Sequence, residues 1–113
     1  MNSREVKVTI DKPTITANER KATPIYQGVV KYFPLAIAEI AKLSLQGNIQ
    51  HGLGEDGELV WQKDISNDHL DCLMRHLCDY AGDKPIDEDG ISHDIKVAWR
   101  ALAHLQIRLE NDR

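Results

Sequence analysis

The stretch Asp87–Leu109, DEDGISHDIKVAWRALAHLQIRL, decides the fold because it carries the longest periodic run of apolar residues in the chain. Its acidic start and Gly90 indicate a turn, after which Ser92 can cap a helix by accepting free backbone N–H groups of the first turn. Asp94 follows in that turn, where the helix dipole favours an anion. The apolar residues recur at three- and four-residue spacing and predict one buried stripe: Val97, Ala98, Ala101, Leu102, Leu105 and Leu109.

Two further helices are predicted upstream of this one. The nearer helix covers residues 66–81, is capped by its first residue and stops at Gly82, and it should pack antiparallel to the last helix. The other begins at Thr23–Pro24, is broken or kinked at Pro34 and ends at Gly47–Asn48. The nearer helix has a predicted buried stripe of apolar residues at helical spacing: Leu70, Leu73, Met74, Leu77 and Ala81.

The N-terminal residues read as β structure. Polar and apolar residues alternate over Arg4–Ile10, as in a half-buried strand, and Thr14–Thr16 can pair back on it after the turn at Asp11–Pro13. Two strands alone are marginally stable in water, so this hairpin should lie on the helices or pair with another copy of the chain. A flexible, partly ordered arm is the equally weighted alternative.

Together these patterns predict an α+β fold, with an N-terminal β-hairpin or short sheet followed by three helices, the last two an antiparallel pair. A chain of 113 residues is expected to form one domain. Within residues 1–113 we expect a β arm over residues 1–21 and a helical, ligand-binding region over residues 22–110.

Composition limits the partners. The formal net charge is -4, which argues against DNA or RNA polymers because these usually need a basic face, although a few arginines suffice for a small anionic ligand. Cys72 and Cys78 fall on different faces of one predicted helix, so a disulfide between them is geometrically poor and reduced thiols are expected. No apolar run spans a bilayer and no signal-peptide core is visible, which predicts a soluble, intracellular protein without a membrane partner.

Two groups of residues are candidate metal ligands. His69, Cys72 and His76 share one helical row, and His93 or His51 could complete four zinc ligands. Ordinary surface histidines and a packed cysteine explain the same row at least as well.

A magnesium site is the second candidate. Asp68 and Asp71 share a helix face, and the acids of residues 87–94 follow in sequence, as a hydrolytic centre would need. All-helical nucleotide pyrophosphohydrolases carry a paired-glutamate motif on one helix, whereas the first long helix here carries only Glu39. Helix caps and solvated turns explain these acids as well.

The third candidate is a pocket that binds a nucleotide without catalysing a reaction. Arg75 and Arg100 can offer charge-assisted donors to phosphate, and Trp61, Trp99 or Tyr26 can stack on a base. The irregular stretch of residues 47–65 is long enough to be functional, and it holds polar groups that can read base or ribose edges. The plainer interpretation is that Arg75 pairs with its helical neighbours and that the tryptophans belong to the core.

The chain resembles a known group of phage proteins in several ordered blocks. These are ATPIYQGVVKYFPLAI (22–37), GNIQHGLG (47–54), VWQKDIS (60–66), LMRHL (73–77) and DEDGISHDIKVAWRALAHLQ (87–106). They look like small phage proteins with a dATP/dGTP diphosphohydrolase-like domain, and the resemblance covers roughly residues 22–110. Within that group, the blocks with ATPIY and GNxQH are most similar to the phage anti-Thoeris sponges.

This resemblance implies a function. Anti-Thoeris sponges bind cyclic ADP-ribose-type immune signals without cleaving them, and related activity on the cyclic oligonucleotides of CBASS immunity is known for the family. For this chain it implies a non-enzymatic sponge in the cytoplasm of an infected bacterial host, assembled as a homodimer or higher oligomer, with no cofactor and no metal. It also implies a similar ligand pocket, which we place at Asn48, His51, Trp61, Arg75, His93 and Arg100.

Two other functions remain open at this stage. One is a Mg²⁺-dependent dATP/dGTP pyrophosphohydrolase, which would use the acids around Asp68 and Asp71. The other is an oligomeric adaptor that binds protein through the edge of the hairpin and takes no small molecule.

Overall fold

The computed structural model describes residues 6–7, 16–52 and 57–113. The described part is mostly helical, with four α-helices, a short π-helical segment and two very short strands. In chain order the elements are β1 (Val6–Lys7), α1 (Ala17–Lys21), the π-helical segment (Tyr26–Val30), α2 (Pro34–His51), β2 (Val60–Trp61), α3 (His69–Ala81) and α4 (His93–Asn111).

Helices α3 and α4 form the centre of the described structure and run in opposite directions. His76 contacts His93 near one end of the pair, and His69 contacts Arg100 further along, as the antiparallel prediction requires. The connector folds back through a bridge between Ile86 and Ser92. Gly90 sits in this turn with φ 84, a conformation that glycine adopts without the steric cost of a Cβ.

Ser92 occupies the cap position of α4, as predicted, but its side chain makes no capping hydrogen bond. Its hydroxyl donates instead to the carbonyl of Pro85 at 3.4 Å. The predicted cap at Ser66 is wrong as well, because α3 begins only at His69 and Asp68 holds its cap position.

The helix predicted to begin at Thr23–Pro24 differs from its prediction on both sides of Pro34. Its first part forms only the short π-helical segment Tyr26–Val30, and its second part is α2. Pro34 opens the helix at its first turn, where a proline loses no hydrogen bond, so the break at this residue is confirmed. The predicted end at Gly47–Asn48 is wrong, because α2 continues to His51. It stops at Gly52, which has φ 87.

The β structure is smaller than predicted. β1 pairs antiparallel with β2, with Val6 opposite Trp61 and Lys7 opposite Val60. The predicted hairpin lies largely outside the described residues and is not shown. The predicted β arm of residues 1–21 needs correction at its end, because Ala17–Lys21 form the short helix α1, capped by Thr16 through a 3.2 Å bond from the Glu19 amide.

The burial pattern reverses the predicted core. The apolar stripes assigned to α3 and α4 are largely exposed in this single chain: Leu70, Met74, Leu77, Leu102, Leu105 and Leu109. The buried side chains of the described residues are instead His69, Cys72, His76, His93 and Ala103. Periodicity correctly identifies a stripe, but it cannot tell whether the stripe is covered by the same chain.

None of the helices within the described ranges combines the length and the apolar character that a bilayer crossing requires.

Candidate ligand cavity

A cavity of about 410 Å³ lies between the end of α2, β2, α3 and α4. Its volume is in the range of small-molecule sites. The structure brings five of the six residues predicted to bind ligand to its walls: Asn48, His51, Trp61, Arg75 and Arg100. The sixth, His93, is buried behind His76, which does line the cavity. Their role in binding remains a prediction.

Arg100 is held in place at the cavity wall. Its Nη1 atom lies 2.9 Å from Nδ1 of His69, on the facing helix. Its guanidinium carbon also lies 5.8 Å from the ring centre of Trp99, in the range of a cation–π contact. These two contacts already restrict the Arg100 side chain. Binding an anion therefore costs it little further side-chain entropy.

The contact between Arg100 and His69 fixes the state of the imidazole. An arginine has only donors, so Nδ1 of His69 must accept and its proton must lie on Nε2. That Nε2 atom is buried and has no hydrogen-bond partner among the described residues. Burial is the main cause that lowers the pKa of His69, and the charge of Arg100 lowers it further, so the neutral form is favoured.

The two tryptophans form one aromatic wall. Trp61 and Trp99 meet edge to face, with ring centres 6.0 Å apart and an angle of 75° between their planes. The indole N–H of Trp99 donates to the Ser44 hydroxyl at 2.9 Å, which ties α4 to α2. Lys63 lies 4.9 Å from the Trp61 ring centre and forms a 2.7 Å ion pair with Glu110. Both rings are therefore held at defined angles beside the cavity.

Asn48 has a structural task that the sequence did not suggest. Its side-chain amide donates to the Ser44 carbonyl at 2.9 Å, and its side-chain oxygen accepts from the Val60 amide at 2.7 Å. Both ends of the amide are thus engaged in fastening β2 to α2. Asn48 shapes the cavity wall, and it can contact a ligand only through its second N–H or the second lone pair of its oxygen, unless it gives up one of these bonds.

Arg75 and His51 line the cavity with exposed side chains. Because both remain exposed, they are available to a ligand that enters from the open side. The plainer interpretation paired Arg75 with Asp71 and Asp79. In the described part of the chain, no ion pair joins Arg75 to either carboxylate.

Sequence reasoning missed a charged group at the α3–α4 connector. Lys96 forms ion pairs with Asp87 at 2.6 Å and Asp89 at 2.7 Å, and all three line the cavity. The hydrogen bond from Lys96, with a second from the Glu88 amide, lowers the pKa of Asp87 to about 2. The acidic turn was visible in the sequence. Its lysine partner was not, because the pairing depends on how the turn folds back over α4.

The predicted metal ligands separate into different places. Within the described ranges, the side chains close enough to hold one ion together are His76, Asp87 and His93. The predicted zinc row therefore contributes His76 and its suggested partner His93, and not His69 or Cys72. Asp68 and Asp71 of the magnesium hypothesis are exposed and do not line the cavity.

The cysteines agree with the prediction of reduced thiols. Cys72 is buried, Cys78 is exposed, and both are free.

Comparison with known proteins gives one match. A family model described as dATP/dGTP diphosphohydrolase, N-terminal, matches residues 15–113. No curated protein and no solved structure matches the chain.

Proposed function

Because the chain belongs to the dATP/dGTP diphosphohydrolase N-terminal family, we propose that its cavity binds a nucleotide. The finer proposal is a non-enzymatic sponge that sequesters a cyclic nucleotide immune signal, of the cyclic ADP-ribose type or a CBASS cyclic oligonucleotide. The family description supports nucleotide recognition in general. The resemblance of the sequence blocks to phage anti-Thoeris proteins motivates the step from a nucleotide to a cyclic signal.

The observation that carries the proposal is the fixed position of Arg100 at the cavity wall. Its guanidinium is oriented by His69 and by the face of Trp99, and it offers charge-assisted donors that suit a phosphate. Arg75 lines the same cavity, which gives a second donor for a ligand with more than one phosphate group.

The aromatic wall supplies the second half of nucleotide recognition. Trp61 and Trp99 present large apolar surfaces in the cavity, and base–aromatic stacking contributes roughly 1–3 kcal/mol per base. Stacking together with arginine–phosphate pairing can give the tight binding that sequestration needs, since a sponge must compete with the signal's receptor.

The acids at the cavity favour retention over hydrolysis. A magnesium-dependent hydrolase needs carboxylates that are free to hold the ion. Among the described residues, the carboxylates of the cavity lining are Asp87 and Asp89, and both are paired with Lys96. The described lining therefore offers no pair of free carboxylates to Mg²⁺, which prefers oxygen ligands throughout.

A second copy of the chain is part of the proposal. The apolar stripes of α3 and α4 are exposed, with Leu70, Met74 and Leu102 each more than half accessible. Exposed apolar surface of this extent marks an interaction site, and a homodimer or higher oligomer would cover it. We place this assembly in the cytoplasm of a phage-infected bacterium, where the immune signals of the proposal are made.

The proposal is tested by recovering the ligand intact. The purified protein is incubated with Mg²⁺ and separate panels of cyclic ADP-ribose isomers, cyclic di- and trinucleotides, and dATP or dGTP. Free ligand is removed by filtration, the protein is heat-denatured, and the released molecules are identified by mass spectrometry. Recovery of an unmodified cyclic nucleotide is the expected result. If the protein retains none of the cyclic nucleotides, the proposed sponge function is contradicted.

The family description itself favours a second candidate, a Mg²⁺-dependent dATP/dGTP pyrophosphohydrolase. The same experiment separates the two, because that enzyme would convert dATP or dGTP to the monophosphate. Under this alternative, Asp68→Asn and Asp71→Asn should each abolish the conversion. Asp83→Asn, at an exposed acid of the α3–α4 connector that belongs to neither predicted metal group, is the matched control for loss of one carboxylate.

A further inference from the structure

Three side chains from three consecutive segments converge at one end of the α3–α4 pair. His76 belongs to α3, Asp87 to the connector and His93 to α4. The Nδ1 atoms of His76 and His93 are 2.8 Å apart, and Oδ2 of Asp87 lies 3.8 Å from Nδ1 of His93. One ligand atom from each residue lies within 4.8 Å of the others. Both histidines are buried, His93 to an exposure of 3%.

The short contact between the histidines places an unshared electron pair at the centre of this group. Two imidazole nitrogens at this distance share one proton, so one of them must be an acceptor. A carboxylate faces each ring nitrogen of His93, with Asp79 3.9 Å from Nε2 and Asp87 3.8 Å from Nδ1. Carboxylates that face the outer nitrogen of a histidine orient metal-binding imidazoles in the same way.

We propose that His76, Asp87 and His93 bind a single divalent transition-metal ion of the Zn²⁺ class. Nδ1 of each histidine and Oδ2 of Asp87 are the ligand atoms. The ion takes the position of the proton shared between the imidazoles, and that proton moves to Nε2 of the ring that carried it, which changes tautomer. Four-coordinate zinc with bonds of about 2.0–2.1 Å separates its ligand atoms by about 3.3 Å. The separations of 2.8 and 3.8 Å bracket that value, and the separation of His76 from Asp87 is at most 4.8 Å, so shifts of roughly 0.5–1.5 Å complete the site.

Lys96 does not prevent this site from forming. It contacts Oδ2 of Asp87 at 2.6 Å but also Oδ2 of Asp89 at 2.7 Å, so it keeps a carboxylate partner when the metal draws on Asp87. The Glu88 amide donates to the other oxygen of Asp87 at 2.7 Å, which helps to hold the carboxylate in place. The carboxylates of Asp87 and Asp89 outnumber the one ammonium of Lys96, and this excess of negative charge favours a cation.

The donor set selects the class of metal. Two imidazoles and one carboxylate suit Zn²⁺, Fe²⁺, Co²⁺ or Ni²⁺, whereas Mg²⁺ and Ca²⁺ prefer oxygen ligands throughout. His76 and Asp87 line the cavity, so a remaining coordination position is accessible to water or to an anionic group of a ligand there. The site is independent of the proposed nucleotide, and it departs from the sequence-based expectation that the chain holds no metal.

The test uses the full chain without any nucleotide. Protein stripped with chelator is titrated with Co²⁺, whose four-coordinate complexes absorb visible light much more strongly than the aqueous ion. We expect saturation at one Co²⁺ per chain and loss of the absorption when Zn²⁺ is added. A stoichiometry well below one, or a spectrum that stays that of aqueous Co²⁺, overturns the proposal, whatever the outcome of the nucleotide experiments.

Paired variants assign the ligands. His76→Gln and Asp87→Asn should each weaken Co²⁺ binding at least tenfold. Glu88→Gln is the matched control for Asp87→Asn, because it removes an exposed carboxylate of the same turn but no ligand atom and no Lys96 contact. His104→Gln controls for loss of a histidine from the α3–α4 pair. Circular dichroism identifies variants that do not fold. Binding that survives unchanged in Asp87→Asn, or that is lost equally in Glu88→Gln, contradicts the assignment.

Discussion

Nη1 of Arg100 lies 2.9 Å from Nδ1 of His69, so a buried histidine acts as the acceptor that orients the arginine of the candidate site. This relationship works only while the imidazole is neutral, since a protonated ring has no acceptor nitrogen. The orientation of Arg100 is thereby linked to the protonation of a residue on another helix.

The first prediction is that stability declines below neutral pH through His69. Burial, Arg100 and His104 lower the pKa of His69 below 6.5, and Asp68 opposes them. As pH falls through 6.5, the unfolded chain therefore binds a proton that the folded chain does not, and the free energy of unfolding decreases until the folded pKa is reached. Above pH 6.5 both states are neutral at this residue, which then adds no pH dependence.

The measurement is the urea midpoint between pH 8 and pH 5 for the native chain and for His69→Gln. The decline should be shallower in the variant, although its stability at pH 8 is lower. An NMR titration of the histidine ring protons gives the folded pKa directly. A value for His69 above 6.5, or identical pH profiles for the two proteins, contradicts the prediction.

The second prediction concerns phosphate recognition by Arg100. Arg100→Ala should weaken retention of the nucleotide at least tenfold, since a hydrogen bond to a charged group contributes about 1.5–3 kcal/mol. Arg100→Lys should restore only part of it, because the lysine keeps the charge but not the planar fork. Isothermal titration calorimetry with the ligand recovered by mass spectrometry measures both.

Arg108→Ala is the matched control for Arg100→Ala. Arg108 lies on the same helix and pairs with Asp112 at 2.8 Å, with its side chain half exposed to solvent, away from the cavity lining. Its loss should leave affinity within twofold of the native chain. Equal losses in the two variants would indicate a general electrostatic effect and remove Arg100 from the site.

The third prediction separates structure from binding at Asn48. Asn48→Ala removes the bonds to the Ser44 carbonyl and the Val60 amide, and should cost about 1–3 kcal/mol of stability because partly buried groups lose their partners. Asn48→Asp should cost less, since it still accepts from Val60. Urea denaturation measures both, and Asn67→Ala, at an exposed asparagine before α3, serves as the control. A loss of affinity with unchanged stability would instead favour direct ligand contact.

The parts of the fold that follow from local chemistry were predictable. The turn at Gly90, the start of α4 after Ser92 and the helix break at Pro34 depend on the conformations of one to four residues. The end of α2 was not, because Gly47 and Asn48 are a familiar stop signal, yet Asn48 finds its partners in Ser44 within the helix and in β2 beyond it. Tertiary contacts thus carried the helix through the stop signal.

The site was predictable by residue type and less so by role. The phosphate-binding chemistry of arginine and the stacking surface of tryptophan indicated Arg100 and Trp61, and the cavity includes both. His69 was considered only as a zinc ligand and Lys96 was missed, because their partners come from other segments, which a single helical row does not reveal. The same limit explains the reversed core. A stripe of apolar residues has the same sequence pattern whether its own chain or a second chain covers it.

The fourth prediction is that a second copy of the chain covers the exposed apolar stripes of α3 and α4. Met74, at the centre of the α3 stripe, is 54% exposed and its neighbours Leu70 and Leu77 are 53% and 43% exposed, which leaves contiguous apolar surface in water at a cost of about 25 cal/mol per Å². Sedimentation equilibrium should therefore give at least twice the chain mass of 12.8 kDa. Met74→Glu should raise the dissociation constant of the assembly tenfold or more, because burying an unpaired carboxylate opposes association.

Asn67→Glu is the control for this variant, because it adds the same charge at an exposed polar position and should leave the mass unchanged. A native chain that sediments as a 12.8 kDa monomer at micromolar concentration would show that the stripe is tolerated in solvent and would remove the oligomer from the proposed function.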